Sequence, residues 1–156
     1  MKDKSILVRS KFPNLEVTDS GGTATYINGI PEAPSAAPFL STIALAGDTV
    51  YLSGQIPIDP STNKMVELGV ESETEQVFNN IEAALKGVGL TLADVVKASV
   101  YLTSASFDKF AKFNEIYLKR MGQCRPAREA IEVGRLAMGA TVEITVTAYR
   151  DGGLTG

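Results

Sequence analysis

The residues best suited to chemistry in this sequence are Arg128 and Glu143, within the stretch CRPAREAIEVGRLAMGATVEITVTAY at 124–149. A guanidinium offers a carboxylate a rigid two-pronged donor, and a glutamate can place a water molecule and carry its proton. The segments that must position them read as two strands. Residues 141–149 alternate strictly, with Val142, Ile144, Val146 and Ala148 on one side and Thr141, Glu143, Thr145 and Thr147 on the other. That period of two marks a half-buried strand. Residues 128–133 form a shorter one, with Ile131 and Val133 opposite Arg128, Ala130 and Glu132. The connection at 134–139 is bounded by glycines, and antiparallel pairing about it is expected to bring Glu143 within a few residues of Arg128 on the next strand. By geometry alone a surface ion pair is the leading reading. An anion clamp beside an acid/base is the alternative, and Glu132 is a rival partner for Arg128.

Composition narrows the chemistry further. The chain has 156 residues, 44% hydrophobic and 21% charged, which fits one domain able to bury a core. It contains no histidine and one cysteine, Cys124. A nitrogen/sulfur zinc or iron site within one chain is therefore excluded, as is nucleophilic catalysis by Ser-His or Cys-His pairs. A lone cysteine fits a reducing compartment and a cytoplasmic protein. The net charge of −3 and the absence of a basic stripe argue against nucleic acid as a partner. No run of eighteen apolar residues is present, so no membrane span is expected.

Residues 1–22 read as an extension, with SILVR as a short strand and PNLEVTDSGG as loop, and the main domain occupies 23–156. Residues 23–38 carry three prolines and read as an extended lead-in. Strands at 41–46 and 49–53 meet at Gly47-Asp48, a turn-forming pair. An amphipathic helix spans 72–86, with Ser72 and Glu75 as a capping box and Gly87 as a left-handed cap. Then come a strand at 95–102 and a second helix at about 107–121, with an apolar stripe of Phe110, Phe113, Tyr117 and Met121 and Gly122 as its stop. Asn114, beside that stripe, needs solvent or a polar partner. This order predicts an α+β fold, a mixed sheet with two helices on one face and a half-polar other face.

Four stretches in order resemble the RidA (YjgF) family of reactive-intermediate deaminases, also labelled endoribonuclease L-PSP: APSAAPFLST with YLSGQIPIDPSTNKMV, FAKFNEIYLKRM, PAREAIEVGRL, and VEI. The resemblance runs from about Thr23 to Arg150. It implies a chorismate-mutase-like fold and a homotrimer with its sheets facing inward and its sites at subunit clefts. It implies hydrolysis of 2-imino acids and their enamine tautomers to 2-keto acids and ammonia, without metal or cofactor. Arg128 would hold the substrate carboxylate, Glu143 would position water and shuttle a proton, and Ser53 and Asn114 would line the cleft. Two positions depart from the family pattern: Phe39 stands where a tyrosine is common, and Ala130 where a cysteine is. These put substrate preference in question more than reaction class. Two alternatives stay open, an endoribonuclease or translation inhibitor and a non-catalytic binder of small carboxylates.

Overall fold

The computed structural model describes residues 4–150. Seven strands form one sheet in the order β1-β2-β3-β4-β9-β7-β8. They are β1 (Glu16–Asp19), β2 (Ala24–Asn28), β3 (Ile43–Ala46), β4 (Thr49–Leu52), β7 (Val95–Leu102), β8 (Ala127–Glu132) and β9 (Val142–Tyr149). All neighbours are antiparallel except β7 and β8. A separate hairpin joins β5 (Ile58–Asp59) to β6 (Lys64–Met65). Helix α2 (Val70–Gly87) lies across β9, and α4 (Phe110–Met121) packs beside α2. The alternation read in 141–149 is real: Val142, Ile144, Val146 and Ala148 are buried in a core shared with Val77, Phe78, Ile81 and Leu85 of α2 and Phe113 and Tyr117 of α4. Burying each such side chain stabilises the fold by about 1.5–3 kcal/mol.

The expected hairpin of 128–133 with 141–149 does not form. Strand β7 lies between the two segments, with Ala98 opposite Arg128 on one side and Val146 on the other. After β7 the chain leaves through α3 (Ser104–Phe107) and α4 and returns as β8, a strand-helix-strand unit that places β8 parallel to β7. The polypeptide then crosses the end of β7, where Val133 donates to the Leu102 carbonyl and Thr103 to that of Thr141. Strand β9, buried on one face along its whole length, takes the central place beside β4.

Other expectations shift with tertiary context. Residues 4–11 are a helix, α1, rather than a strand, and its Val8 is fully buried. Residues 16–19 are strand β1 rather than loop, and 24–28 in the proline-rich lead-in are strand β2, so both extend the sheet. The first three residues of the expected extension and the last six of the expected main domain, 1–3 and 151–156, lie outside the described residues. Helix α2 begins two residues before Ser72, capped by Gly69, and no Ser72–Glu75 box forms. Gly87 is not a left-handed cap. It is the last helical residue, and a Cβ there would overlap Ile30 Cγ2. The expected helix at 107–121 is broken at Asp108–Lys109 into α3 and α4, and Gly122, at φ 61°, ends it as expected.

One buried acid ties these pieces together. Glu73 has no exposed surface, yet its carboxylate accepts from the Gly69 N–H (3.1 Å), the Thr141 N–H (2.8 Å) and the Thr141 hydroxyl. The Thr141 hydroxyl also meets that of Ser106 at 2.6 Å, which joins α3 to the same point. Hydrogen bonds to a charged group each contribute about 1.5–3 kcal/mol, and donors left unsatisfied cost a similar amount. Glu73→Ala is therefore expected to destabilise the chain by about 2–4 kcal/mol in denaturant unfolding, with the larger loss of amide protection at 140–143.

Candidate functional site

Registered residues in a sheet share a face, so the pairing decides where each candidate side chain stands. Arg128, Ala98 and Val146 form one row, and Ala98 and Val146 face the helices. Ile131, Tyr101 and Glu143 form another row, three residues on and therefore on the opposite face. Arg128 and Glu143 are separated by roughly 10 Å along the strands and about 10 Å across them, with the sheet between. The candidate residues fall into two groups.

On the open face, a cleft of about 440 Å³ is lined by Phe39, Ser53, Gly54, Gln55, Met138 and Glu143, among others. Gln55 bridges to Ile144 of β9, with N–H···O distances of 2.8 and 3.1 Å, and this brings the Gly54 backbone against Glu143. A Cβ on Gly54 would overlap Glu143 Oε1, so only glycine lets the carboxylate lie there. That burial raises the Glu143 pKa above the usual glutamate value. The Ser53 hydroxyl donates to the Ser41 carbonyl at 2.6 Å, which leaves its oxygen lone pairs directed elsewhere. Phe39 is 84% exposed, a large apolar ring standing at the cleft rim. Met138, also lining the cleft, has φ 56°, a left-handed conformation that costs a non-glycine residue about 1–2 kcal/mol and concentrates at functional sites.

On the helix side, a pocket of about 310 Å³ is lined by Asn114, Tyr117, Leu118, Arg125, Pro126 and Arg128. Arg128 Nη1 donates to Asn114 Oδ1 at 2.9 Å, the polar partner that Asn114 required. The Arg128 guanidinium stacks 4.6 Å from the Tyr117 ring centre and 5.8 Å from that of Phe110. No carboxylate lies within ion-pair distance of Arg128 among the described residues, so it pairs with neither Glu143 nor Glu132. Burial raises the Tyr117 pKa, partly offset by the charges of Arg128 and Arg125, and keeps the phenol protonated. Ala130 packs against the core and lines neither cleft.

A sequence profile of the family described as Endoribonuclease L-PSP matches residues 30–150. A RutC family protein of Pyrococcus horikoshii is 40% identical over 119 residues, 76% of this chain and 93% of its own. A crystal structure from Yersinia pestis, assigned to the conserved Rid protein family, superposes with a TM-score of 0.76 at 37% identity, covering 81% of this chain and 99% of its own. The chain belongs to the RidA, or endoribonuclease L-PSP, family. A bovine relative, 37% identical over 119 residues (76% of this chain, 85% of its own), bears the name 2-iminobutanoate/2-iminopropanoate deaminase. The RidA match begins after β2, so α1, β1 and β2 lie outside it.

Within this RidA chain, the expected site residues Phe39, Ser53 and Glu143 line one cleft and Asn114 and Arg128 the other, with β7 between the strands of Arg128 and Glu143, which were expected to be adjacent. Sequence reasoning did not single out Gly54, whose signal was a glycine directly after Ser53, or Met138, whose backbone strain leaves no mark in the sequence. Tyr117 was assigned to core packing, and its ring does both jobs. Among the described residues no group of three or more His, Cys, Asp or Glu could hold a metal ion, and no helix is long and apolar enough to cross a membrane.

The raised Glu143 pKa has a stability consequence with a definite sign. The native state holds the proton to higher pH than the unfolded chain, so the Glu143 contribution to stability is greatest below the ordinary glutamate pKa and falls as pH rises through the native value. Glu143→Gln is expected to raise Tm at pH 7 and to remove the part of the stability loss that sets in as pH rises above the ordinary glutamate pKa. An unchanged or lower Tm at pH 7 would contradict the desolvation argument.

Proposed function

We propose that this protein hydrolyses small 2-imino acids, and the enamines that tautomerise to them, to 2-keto acids and ammonia, at sites shared between chains of a homotrimer. One observation carries the reading. Arg128 with Asn114, and Glu143 with Ser53 and Phe39, line two clefts on opposite faces of one sheet. In a 2-imino acid the carboxylate is bonded directly to the imine carbon, so no small substrate spans both halves of one chain. A second chain must bring its Arg128 pocket to the Glu143 cleft of the first, which a closed cyclic assembly does once per interface. The open face, with Glu143, Thr145, Thr147 and the half-exposed Tyr51, is the surface that would turn toward the neighbours. The name of the bovine relative supports the same reaction.

The chemistry needs little beyond orientation, since imines already hydrolyse in water. Arg128 would grip the substrate carboxylate with its unpaired donors and fix the plane of the C=N bond. Glu143, ionised, would accept a proton from water as the oxygen attacks the imine carbon. The same carboxyl would then pass that proton to nitrogen, and the carbinolamine would collapse to the ketone, releasing ammonia. Water supplies the oxygen and two hydrogens of the products, so the balance closes without a cofactor. Because Glu143 must be ionised and its pKa is raised, the acidic limb of the rate profile should lie above that of an ordinary carboxylate. Phe39 would wall the cleft without offering a hydroxyl. The endoribonuclease label of the family finds no support in a histidine-free chain of net charge −3.

Generating 2-iminobutyrate in place with an amino-acid oxidase and trapping survivors with semicarbazide tests the reading. Wild type should lower the trapped product. Glu143→Ala should lose about 10²-fold or more in rate, and Arg128→Ala should fail chiefly through weakened binding. Co-refolding the two inactive variants should restore about a quarter of wild-type activity, because mixed trimers contain one intact interface each. Equal traces for wild type and both variants would reject turnover in favour of a non-catalytic carboxylate binder. Inactive mixtures of two folded variants would reject the shared site.

A further inference from the structure

The pocket around Arg128 holds more donor capacity than one carboxylate uses. Its polar lining consists of Asn114, Tyr117, Arg125 and Arg128, with Leu118 and Pro126 as the apolar wall, and it contains no acidic side chain. Arg125 Nη1 donates to the carbonyls of Gly122 (2.6 Å) and Cys124 (2.8 Å) at the end of α4. A cation there suits the negative end of the helix, and those bonds alone would make Arg125 a helix cap. They also hold its guanidinium fixed at the pocket, and among the described residues its other N–H groups have no protein acceptor. Neither Arg125 nor Arg128 has a carboxylate within 4.0 Å among the described residues, whereas Arg120 of α4 pairs with both Glu75 and Glu82.

A second, independent observation points the same way. Tyr117 is 6% exposed, and among the described residues its buried hydroxyl has no hydrogen-bond partner. A buried hydroxyl without a partner is costly, and the ring that carries it lines the pocket and lies under the Arg128 guanidinium. The Asn114 amide oxygen already accepts from Arg128, so its NH₂ is left to donate as well. Two guanidinium groups and an amide, all donors, line a volume of about 310 Å³ beside the Tyr117 ring in an acidic chain.

We propose that this pocket takes a dianion, a 2-imino acid whose side chain ends in a second carboxylate, with Arg128 on the α-carboxylate and Arg125 on the distal one. The assignment rests on the reading of Arg128 as carboxylate anchor and names the substrate class that follows. The residue that sets the class is Arg125, which precedes the PAR stretch and is separated from it by no intervening residue.

The stable 2-keto products serve as probes, 2-oxoglutarate for the diacid and 2-oxobutyrate for the monoacid, titrated calorimetrically at fixed ionic strength. Wild type should bind 2-oxoglutarate at least about tenfold more tightly, the scale of one charge-assisted contact. Arg125→Gln should bring that ratio close to one, and Arg125→Lys, which keeps the charge, should retain part of it. A wild-type ratio near one overturns the proposal without any variant, and so does a wild-type ratio preserved in Arg125→Gln. Imines generated from glutamate and from 2-aminobutyrate then separate the two claims. A diacid binding preference without turnover of either imine keeps the dianion pocket and refutes the deaminase reading. Turnover of both imines at equal efficiency, with equal binding of both keto acids, keeps the deaminase and refutes the pocket.

Discussion

A carboxylate with no exposed surface holds the two halves of this molecule in register. Glu73 stands in the first turn of α2, and its acceptors satisfy the helix cap at Gly69 and both donors of Thr141. Burying a carboxyl group is tolerated only where hydrogen-bond partners replace its lost water, and three donors do so here. Thr141 precedes β9, so the contact determines which residue of that strand begins the sheet. A slip by one position would turn Glu143 into the core and Val142 into the cleft. The side chains that the open face presents therefore depend on an acid buried in the core.

The sheet imposes a second constraint through its pleat. With β7 between β8 and β9, the odd three-residue offset between the rows of Arg128 and Glu143 sends them to opposite faces. Each group is supported locally. Arg128 lies on Tyr117 and donates to Asn114, both on α4, and Glu143 rests on a glycine that leaves it room. The second arrangement opposes stability, because it leaves a carboxyl partly stripped of water. Such tension is common where binding groups are kept ready for a ligand. The pleat also places the candidate groups of one chain in two separate clefts rather than one.

The strands and helices nearest the core were legible because their apolar spacing is regular. The alternation in 142–149, the run at 95–102 and the Phe78, Ile81, Leu85 periodicity all survive folding. Capping and edge features were less legible. Ser72 looks like a cap, yet the helix starts earlier because Glu73 is drawn to Thr141. Gly87 looks like a stop, yet it is small because Ile30 occupies the space above it. Residues 16–19 and 24–28 carry weak strand signals and become strands because neighbouring edges offer them partners.

The sequence by itself determined the chemical repertoire: no histidine, one cysteine, an arginine and a glutamate near the end of the chain, and motifs in the family's order. It also determined the fold class, since hydrophobic period is a local property. Only the tertiary structure decided that β7 separates the segments carrying Arg128 and Glu143, that Gly54 makes room for one and Tyr117 supports the other, and that Arg125 joins Arg128 in one pocket. Strand order and facing depend on which distant segments pair and with what offset, and that information lies in long-range contacts rather than in any one stretch of residues.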